Sequence, residues 1–304
     1  MNQNPVHQPV MVREVLAGLE VRSNRLYVDG TVGEGGHAVA ILSKISGVGE
    51  LWGFDRDPMV LQAAAARLAP FTSHFRLFYR SYAQLGEVLE EAGRSAAAGI
   101  LLDLGLSSYL LQSSGRGFSF QRDEPLDMRF DPESPNPTGA QLLNTLPQIK
   151  LAQIFRDYGE EPRARILARR ICEVRRQLPW RTTGQLVALV QETLGSRAAK
   201  SKAHPATRVF QALRIAVNQE LAELEKFLDS APGWLEPGGR LVIIAYHSLE
   251  DRLVKQRFHA WDKAGVMRRL VKKPLTPTAE EIRENPRARS AKLRLAQKSA
   301  EAGG

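Results

Sequence analysis

A glycine-rich turn between two apolar segments constrains the fold of this chain more than any other feature. The turn covers residues 29–37, with the sequence DGTVGEGGH, and it lies between the apolar residues 26–28 and 38–42. This order predicts a strand, a tight turn and a helix. Glycines let a backbone approach a ligand closely, and the first N–H groups of a helix point to the same place. The turn therefore indicates a site for a nucleotide-like cofactor, with an ordinary tight turn as the alternative at this stage.

The first hundred residues alternate between short apolar runs and helical patterns. The apolar runs cover residues 25–29, 51–55, 75–79 and 99–103. Between the second and third runs, a helix is predicted over residues 58–68, with Asp57 as its N-cap and Pro58 at its first position. Such alternation is typical of a parallel sheet covered by helices, which is an α/β fold.

The alternation stops after Asp103. Residues 113–139 are rich in Gly, Pro, Ser and Asp and are predicted to be irregular, and residues 142–194 have a helical pattern. The next strand is predicted at residues 240–246, which leaves a gap of 137 residues. A crossover needs only about 30 residues, so a mostly helical domain is expected to interrupt the sheet.

The predicted domains follow from this gap. Residues 1–110 and 206–270 form the sheet domain, residues 111–205 form the inserted helical domain, and residues 271–304 form a basic C-terminal tail. Within the second part of the sheet domain, residues 208–228 have the apolar spacing of an amphipathic helix that should pack on the sheet.

Positive charge is concentrated in two segments. The net charge is +9, and residues 252–298 hold 14 lysines and arginines against four acidic residues. Residues 163–181 hold seven arginines and one glutamate. Localised basic surface favours a polyanionic partner, most often nucleic acid, and a solvated surface is the alternative for either segment alone.

Other features of the composition exclude several classes of protein. The single cysteine, Cys172, rules out an internal disulfide and a cysteine-clustered zinc site, and a small buried apolar role is favoured for it. No apolar run reaches the length of a membrane helix, and the N-terminus lacks the pattern of a signal peptide. We therefore expect a cytoplasmic protein without a membrane partner. His247 has no supporting cluster of ligands, so no metal is predicted.

Polar residues end the predicted strands. Asp29, Asp55 and Asp103 end three of them, and His247 follows the last. Ligands bind at this edge of open α/β sheets, and Asp55 lies 19 residues after Gly36, where a carboxylate can accept hydrogen bonds from ribose hydroxyls. NAD and S-adenosylmethionine both suit such a site. The site is therefore compatible with a methyltransferase that uses S-adenosylmethionine and, as an alternative, with an NAD-dependent dehydrogenase. A non-catalytic RNA-binding protein is the third hypothesis.

Several stretches of the chain closely resemble the MraW/RsmH family of ribosomal RNA methyltransferases. They occur in order over nearly the whole chain: HQPVM, DGTVGEGGH, GILLDLGLSS, RGFSFQRDEPLDMRF, RVFQALRIAVNQEL, LEPGGRLVIIAYHSLEDR and NPRARSAKLR. The resemblance implies a Rossmann-like class I methyltransferase sheet with an inserted helical domain, and S-adenosylmethionine as cofactor. It also implies methyl transfer to the exocyclic N4 of a cytosine in the decoding region of 16S rRNA, in the small ribosomal subunit. Whether the protein is a monomer or a homodimer stays open.

The resemblance also implies individual roles at the cofactor. Gly35, Gly36 and His37 would contact the methionine end of the cofactor. Asp55 would hold the ribose, and Tyr82 would lie beside the adenine. Asp103 would lie near the sulfonium and the incoming amine. The family pattern places a glutamine seven residues after this aspartate, where this chain has Leu110. Either the backbone of Leu110 or the nearby Gln112 is expected to replace that contact.

The chemistry requires alignment and a proton acceptor. A cytosine amine is a weak nucleophile, so the enzyme must orient it in a dry pocket and accept its proton. Asp103 is the natural acceptor, helped by Ser107, Ser108 or backbone carbonyls. His247 either faces the base or satisfies backbone groups at the strand end. A mechanism through cytosine C5 would need a nucleophilic cysteine, and the arginine-rich surroundings of Cys172 argue against it.

One further loop is a candidate for base recognition. Phe118 and Phe120 lie among charged residues in the sequence RGFSFQRDEPLDMRF. Aromatic rings beside arginines can stack on a flipped base, and packing of the loop itself is the alternative.

Overall fold

A computed structural model describes residues 9–195 and 204–300. Of the HQPVM stretch, His7 and Gln8 lie outside the described residues. The chain divides into two compact units, of which the first comprises Met1–Gly105 with Ala222–Gly304 and the second comprises Leu106–Leu221. An inserted domain was predicted over residues 111–205, so the second unit extends beyond that prediction at both ends.

The described strands are β1 Leu26–Asp29, β2 Glu50–Asp55, β3 Phe75–Tyr79, β4 Ala97–Asp103, β5 Leu235–Ala245, β6 Met267–Arg269 and β7 Lys292–Lys298. The described α-helices are α1 Val12–Leu19, α2 Gly36–Leu42, α3 Pro58–Leu68, α4 Leu85–Glu91, α5 Ser108–Gln112, α6 Gly139–Thr145, α7 Gln148–Asp157, α8 Ala164–Val174, α9 Thr183–Leu194, α10 Ala206–Asn218, α11 Glu220–Ser230, α12 Ser248–Lys263 and α13 Ala279–Glu284. Among these helices, none combines the length and the apolar character that a bilayer crossing requires.

The first unit contains a sheet with the strand order β3-β2-β1-β4-β5-β7-β6. β1 to β5 run parallel, and β7 is antiparallel to both β5 and β6. The four N-terminal strands were predicted to within two residues at each end. The predicted α/β fold is confirmed, and α3 begins as expected, with the Asp57 carboxylate accepting a hydrogen bond from the Met59 N–H at 2.9 Å.

Buried apolar residues on both faces explain why this sheet forms. Residues Ile100 and Leu102 belong to one hydrophobic cluster, whereas Leu101 belongs to another. Successive side chains of a strand point to opposite faces, so each face of β4 packs into its own core. Strands buried on both faces read as continuous apolar runs, which is why they were recognisable in the sequence.

The prediction of one continuous helix over residues 208–228 that packs on the sheet is wrong in two respects. The helix breaks at Gln219, whose φ of 53° is left-handed. α10 buries Phe210 and Leu213 in the core of the second unit, and only α11 packs its Leu224 on the sheet unit. Helical periodicity reveals which face is buried, but not which partner covers it.

The predicted basic tail is also wrong, because residues 292–298 form β7 inside the sheet. Leu293 and Leu295 are buried, and between them the equally buried Arg294 pairs with Asp251 at 2.8 Å. A strand buried on both faces normally has a continuous apolar run, and the buried Arg294 interrupts that run here. The last strand thus belongs to the fold, and its Lys292 and Arg294 both pair with Asp251.

The second unit is mostly helical, and the assignment of residues 111–205 as an inserted domain stays a prediction. Its helices α6 to α10 surround a core that includes Phe155, Leu167 and Leu213. Residues 113–138 are irregular except for an isolated bridge between Pro125 and Thr182. Cys172 is half-buried against this core, as a small apolar residue would be.

Candidate cofactor and active site

The glycine-rich turn is fixed to β2 and β4, the two strands that flank β1, at the carboxyl edge of the sheet. The Gly30 N–H donates to the Leu101 carbonyl at 2.8 Å, and the Val32 N–H donates to the Phe54 carbonyl at 2.9 Å. Gly33 and Gly35 have φ values of 53° and 82°. These left-handed conformations favour glycine and let the chain reverse into α2. The turn is therefore held rigidly where the sheet strands end.

Asp55 connects this turn to the start of α3. Its Oδ2 accepts a hydrogen bond from the Gly33 N–H at 3.1 Å, and its Oδ1 accepts one from the Asp57 N–H at 3.0 Å. Burial raises the pKa of the Asp55 carboxyl to about 6, although these hydrogen bonds oppose the shift. Since Asp57 caps the helix, Asp55 is not needed as a cap. The Arg56 N–H also donates to this carboxylate, whose oxygens are of the acceptor type that a ribose hydroxyl requires.

Asp29 is buried beside it, with 1% of its surface exposed. Burial raises the pKa of the Asp29 carboxyl to about 7, while the charge of His37 and the Thr31 N–H lower it. Its Oδ1 accepts from that N–H at 3.2 Å, whereas Oδ2 has no hydrogen-bond partner within the described part of the chain. An unsatisfied buried carboxyl oxygen calls for a ligand or a proton.

Asp103 and His37 form a close pair at the ends of β4 and the turn. The His37 Nε2 lies 3.3 Å from the Asp103 Oδ2, without the alignment of a hydrogen bond. The Asp103 N–H donates to the Thr31 hydroxyl at 2.6 Å, which ties β4 to the turn. The Asp103 Oδ1 and both ring nitrogens of His37 are buried without hydrogen-bond partners among the described residues. The structure thus brings together Asp29, Asp55, Asp103 and His37, as the sequence predicted.

Tyr246 is a member of this cluster that the sequence reasoning missed. It follows β5, and its ring packs against Gly105 beside the Asp103 Oδ1. Burial and the nearby Asp103 carboxylate hold the pKa of the phenol well above its ordinary value. The available signal was its place directly after an apolar strand, two residues beyond Ile244, which pairs with Asp103 in the sheet.

Tyr82 lies next to the turn, and its role at the adenine stays a prediction. A Cβ atom added to Gly30 would lie 2.9 Å from the Tyr82 Cβ. The Tyr82 ring packs edge-on against Phe227, with 5.5 Å between the ring centroids. Gly36 lies against Pro9, because a Cβ at this glycine would be 3.0 Å from the Pro9 Cβ.

His247 caps α12. Its Nδ1 accepts a hydrogen bond from the Glu250 N–H at 3.4 Å, and the Glu250 Oε2 accepts from the Tyr246 and His247 N–H groups at 2.9 and 3.3 Å. The ring therefore satisfies backbone groups, which is one of its two predicted roles. Contact with the base stays a prediction.

Ser107, Leu110 and Gln112 belong to the second unit. The Ser107 hydroxyl caps α5 by accepting from the Leu110 N–H at 3.2 Å. Leu110 is 8% exposed, and its carbonyl accepts from the Ser114 hydroxyl at 2.8 Å. Gln112 is exposed, and its carbonyl accepts from the Arg122 guanidinium. Their roles at the cofactor and substrate stay predictions.

The aromatic residues of the predicted base-binding loop pack within the second unit. Phe118 is 6% exposed and stacks on Phe130 at 5.5 Å, and Phe120 stacks on His204 at 4.8 Å. These contacts correspond to the loop-packing alternative.

The basic segment 163–181 contains both structural and exposed arginines. Arg163 and Arg175 donate to backbone carbonyls, and Arg170 pairs with acidic residues. Arg169 is exposed and pairs with Glu173 at 3.6 Å. The residues that we call the exposed arginines are the other three, Arg165, Arg176 and Arg181.

Comparisons with known proteins show the family of this chain. The sequence model of the MraW methylase family matches residues 4–299. "Ribosomal RNA small subunit methyltransferase H" of Geobacter sulfurreducens is 46% identical over 307 residues, covering 96% of this chain and 98% of that protein. The protein of the same name from Heliobacterium modesticaldum is 44% identical over 309 residues, with the same shares covered. The similarity therefore spans both units.

Proposed function

The chain belongs to the MraW methylase family, and we propose that it methylates the exocyclic N4 of a cytosine in the decoding region of 16S rRNA. The fold is that of a Rossmann-like methyltransferase, and S-adenosylmethionine is the cofactor. The names of the relatives support rRNA of the small ribosomal subunit as the substrate. The observation that carries the proposal is the buried Asp103 oxygen at the edge of the sheet.

The residues at this edge fit S-adenosylmethionine. Asp29, Asp55 and Asp103 place three carboxyl groups around the turn, and two of them have buried oxygens without partners among the described residues. This arrangement suits a ligand with a positive sulfonium and a positive ammonium, because each charge would meet an acidic group. It opposes the negative pyrophosphate of NAD, which argues against the dehydrogenase alternative.

We assign binding roles by the chemistry of each side chain. Asp55 would accept hydrogen bonds from the ribose hydroxyls, and Tyr82 would lie against the adenine. Gly35, Gly36 and His37 would hold the methionine end. When bound, S-adenosylmethionine supplies a methyl group on a positively charged sulfur, which is already a strong electrophile.

Asp103 is the proposed proton acceptor. When S-adenosylmethionine supplies its methyl group to the amine nitrogen, the Asp103 carboxylate would accept one amine proton. The Asp103 Oδ1, which has no hydrogen-bond partner among the described residues, would receive this proton. Ser107 and His247 are proposed as helpers that orient the base. Positioning of the two reactants and one proton transfer account for the catalysis that this site requires.

The function is tested with purified protein, methyl-labelled S-adenosylmethionine, and either free 16S rRNA or small ribosomal subunits. Nuclease digestion and mass spectrometry should locate the label as N4-methylcytidine in the decoding region. Absence of label in both substrates would refute methylation of 16S rRNA, whereas label on another atom would exclude the N4 assignment.

The role of Asp103 is tested in the same assay. Asp103→Asn should lower kcat by about 10²–10⁴-fold, the usual contribution of a general base. Asp229→Asn is a matched control, because this carboxylate is 59% exposed and pairs with Arg257 on the surface. Full activity of Asp103→Asn would remove Asp103 from the mechanism.

A further inference from the structure

The ends of β4 and β5 are locked together beside the reacting groups. Asp103 pairs with Ile244 in the sheet, and the Leu104 N–H donates to the Ile244 carbonyl at 3.0 Å. Two residues later, the Tyr246 N–H donates to the Glu250 Oε2 at 2.9 Å. The backbone of Tyr246 is thus fixed both by the strand that precedes it and by the first turn of α12.

The ring of Tyr246 occupies space that Gly105 leaves open. A Cβ atom at Gly105 would lie 2.9 Å from the Tyr246 Cε2 and 3.4 Å from the Asp103 Oδ1. A Cβ at position 105 would therefore push against the phenol ring and lie in van der Waals contact with the carboxylate. This close packing leaves the Tyr246 ring little freedom to turn away from Asp103.

Two polar side chains approach Asp103 from different elements. The Tyr246 ring, which follows β5, packs against Gly105 beside the Asp103 Oδ1, and the His37 Nε2 of α2 lies 3.3 Å from Oδ2. Oδ1 keeps no hydrogen-bond partner within the described residues. One oxygen of the carboxylate is thus left for the substrate.

We propose that Tyr246 is a positioning residue that donates its hydroxyl proton to a hydrogen bond with Asp103 and so holds the free carboxylate oxygen toward the substrate amine. This inference rests on the proposed function, because it assigns Tyr246 to the proton-accepting step. The raised pKa of Tyr246 keeps the phenol protonated, so that it remains a donor at neutral pH. A preformed acceptor orientation lowers the reorganisation needed during the transfer.

The test compares Tyr246→Phe with Tyr27→Phe. Both substitutions remove only a hydroxyl group, and the Tyr27 hydroxyl accepts a hydrogen bond from the Arg22 N–H at 2.7 Å, away from Asp103. A hydrogen bond to a charged group contributes enough that Tyr246→Phe should lower kcat by about 10–100-fold. We expect KM for the RNA and Kd for S-adenosylhomocysteine to change by less than about threefold. Tyr27→Phe should change the melting temperature without changing kcat.

A double-substitution experiment separates positioning from general damage. In an Asp103→Asn background, Tyr246→Phe should have almost no further effect on kcat, because its partner is already altered. An unchanged kcat in Tyr246→Phe, or an equal further loss in the Asp103→Asn background, would overturn the inference.

A spectroscopic measurement distinguishes failure of this inference from failure of the proposed function. The ¹³C chemical shift of the Asp103 carboxyl carbon should change in Tyr246→Phe and stay unchanged in Tyr27→Phe, even in protein that methylates no RNA. An unchanged shift in Tyr246→Phe would refute the contact. Absence of methyl transfer by the wild type would instead refute the proposed function.

Discussion

Substitution of Asp29 by asparagine should remove a pH dependence from the stability of the sheet unit. Burial raises the pKa of Asp29 from 3.8 to about 7, so the folded state holds the carboxyl proton more tightly than the unfolded chain. The stabilising contribution is therefore complete below the unfolded pKa, and it is lost as the pH rises through about 7. Asparagine can still accept from the Thr31 N–H but cannot ionise.

The size of the effect follows from the shift. Three pKa units correspond to about 4 kcal/mol in the free energy of unfolding, as an upper value. Between about pH 5.5 and about pH 8, roughly 2 kcal/mol of this should be lost in the wild type and retained in Asp29→Asn. The partnerless Oδ2 becomes an amide nitrogen in the variant, which costs about 1–3 kcal/mol at every pH and leaves the slope unaffected.

The assay is urea unfolding of the cofactor-free protein at several pH values, read by hydrogen exchange of the β1 amides. These amides report on the sheet unit rather than on the helical unit. Asp229→Asn, which alters an exposed carboxylate, serves as the control and should follow the wild type. We plot the free energy of unfolding against pH for the wild type and for Asp29→Asn. If the two plots remain parallel from about pH 5.5 to about pH 8, the burial argument for Asp29 is refuted.

Two further predictions concern RNA binding and the turn. Replacing the exposed arginines with glutamine should weaken RNA binding and reduce the slope of log Kd against log salt by about 0.7–0.9 per lost phosphate contact. The control variant Lys44→Gln should leave this slope unchanged. An unaltered slope in the arginine variant would exclude these residues from the interface. Gly30→Ala should cost about 1–3 kcal/mol of stability and weaken binding of S-adenosylhomocysteine. Its Cβ would lie 2.4 Å from the Leu102 Cδ2 and 2.9 Å from the Tyr82 Cβ. Calorimetry and thermal melting would check this, and wild-type affinity would contradict the close packing.

Local chemistry made the first half of the sheet unit predictable. The apolar runs, the Asp57 cap and the carboxylates at the strand ends depend on residues close in sequence, so their patterns are visible without a structure. The same holds for the irregular loop and the helices of the second unit, where prolines mark the breaks.

Contacts between distant residues were not predictable in the same way. The apolar face of α10 gave no information about which core would cover it, and β7 was obscured by a buried arginine whose partner, Asp251, is 43 residues away. Tyr246 escaped notice because a tyrosine after an apolar strand resembles a core residue. Only the pairing of β4 with β5 brings it to Asp103.

The position of β7 between β5 and β6 has a consequence for protein synthesis. β5 and β6 are translated first, yet each pairs with β7 rather than with the other. Until residue 298 has left the ribosome, β5 therefore exposes an unpaired edge along an apolar strand, which other nascent chains can join. Completion of the sheet is thus a late step that follows translation of residue 298. A chain that stalls shortly before this point would be prone to aggregate, even though every residue proposed to contact the cofactor has already been made.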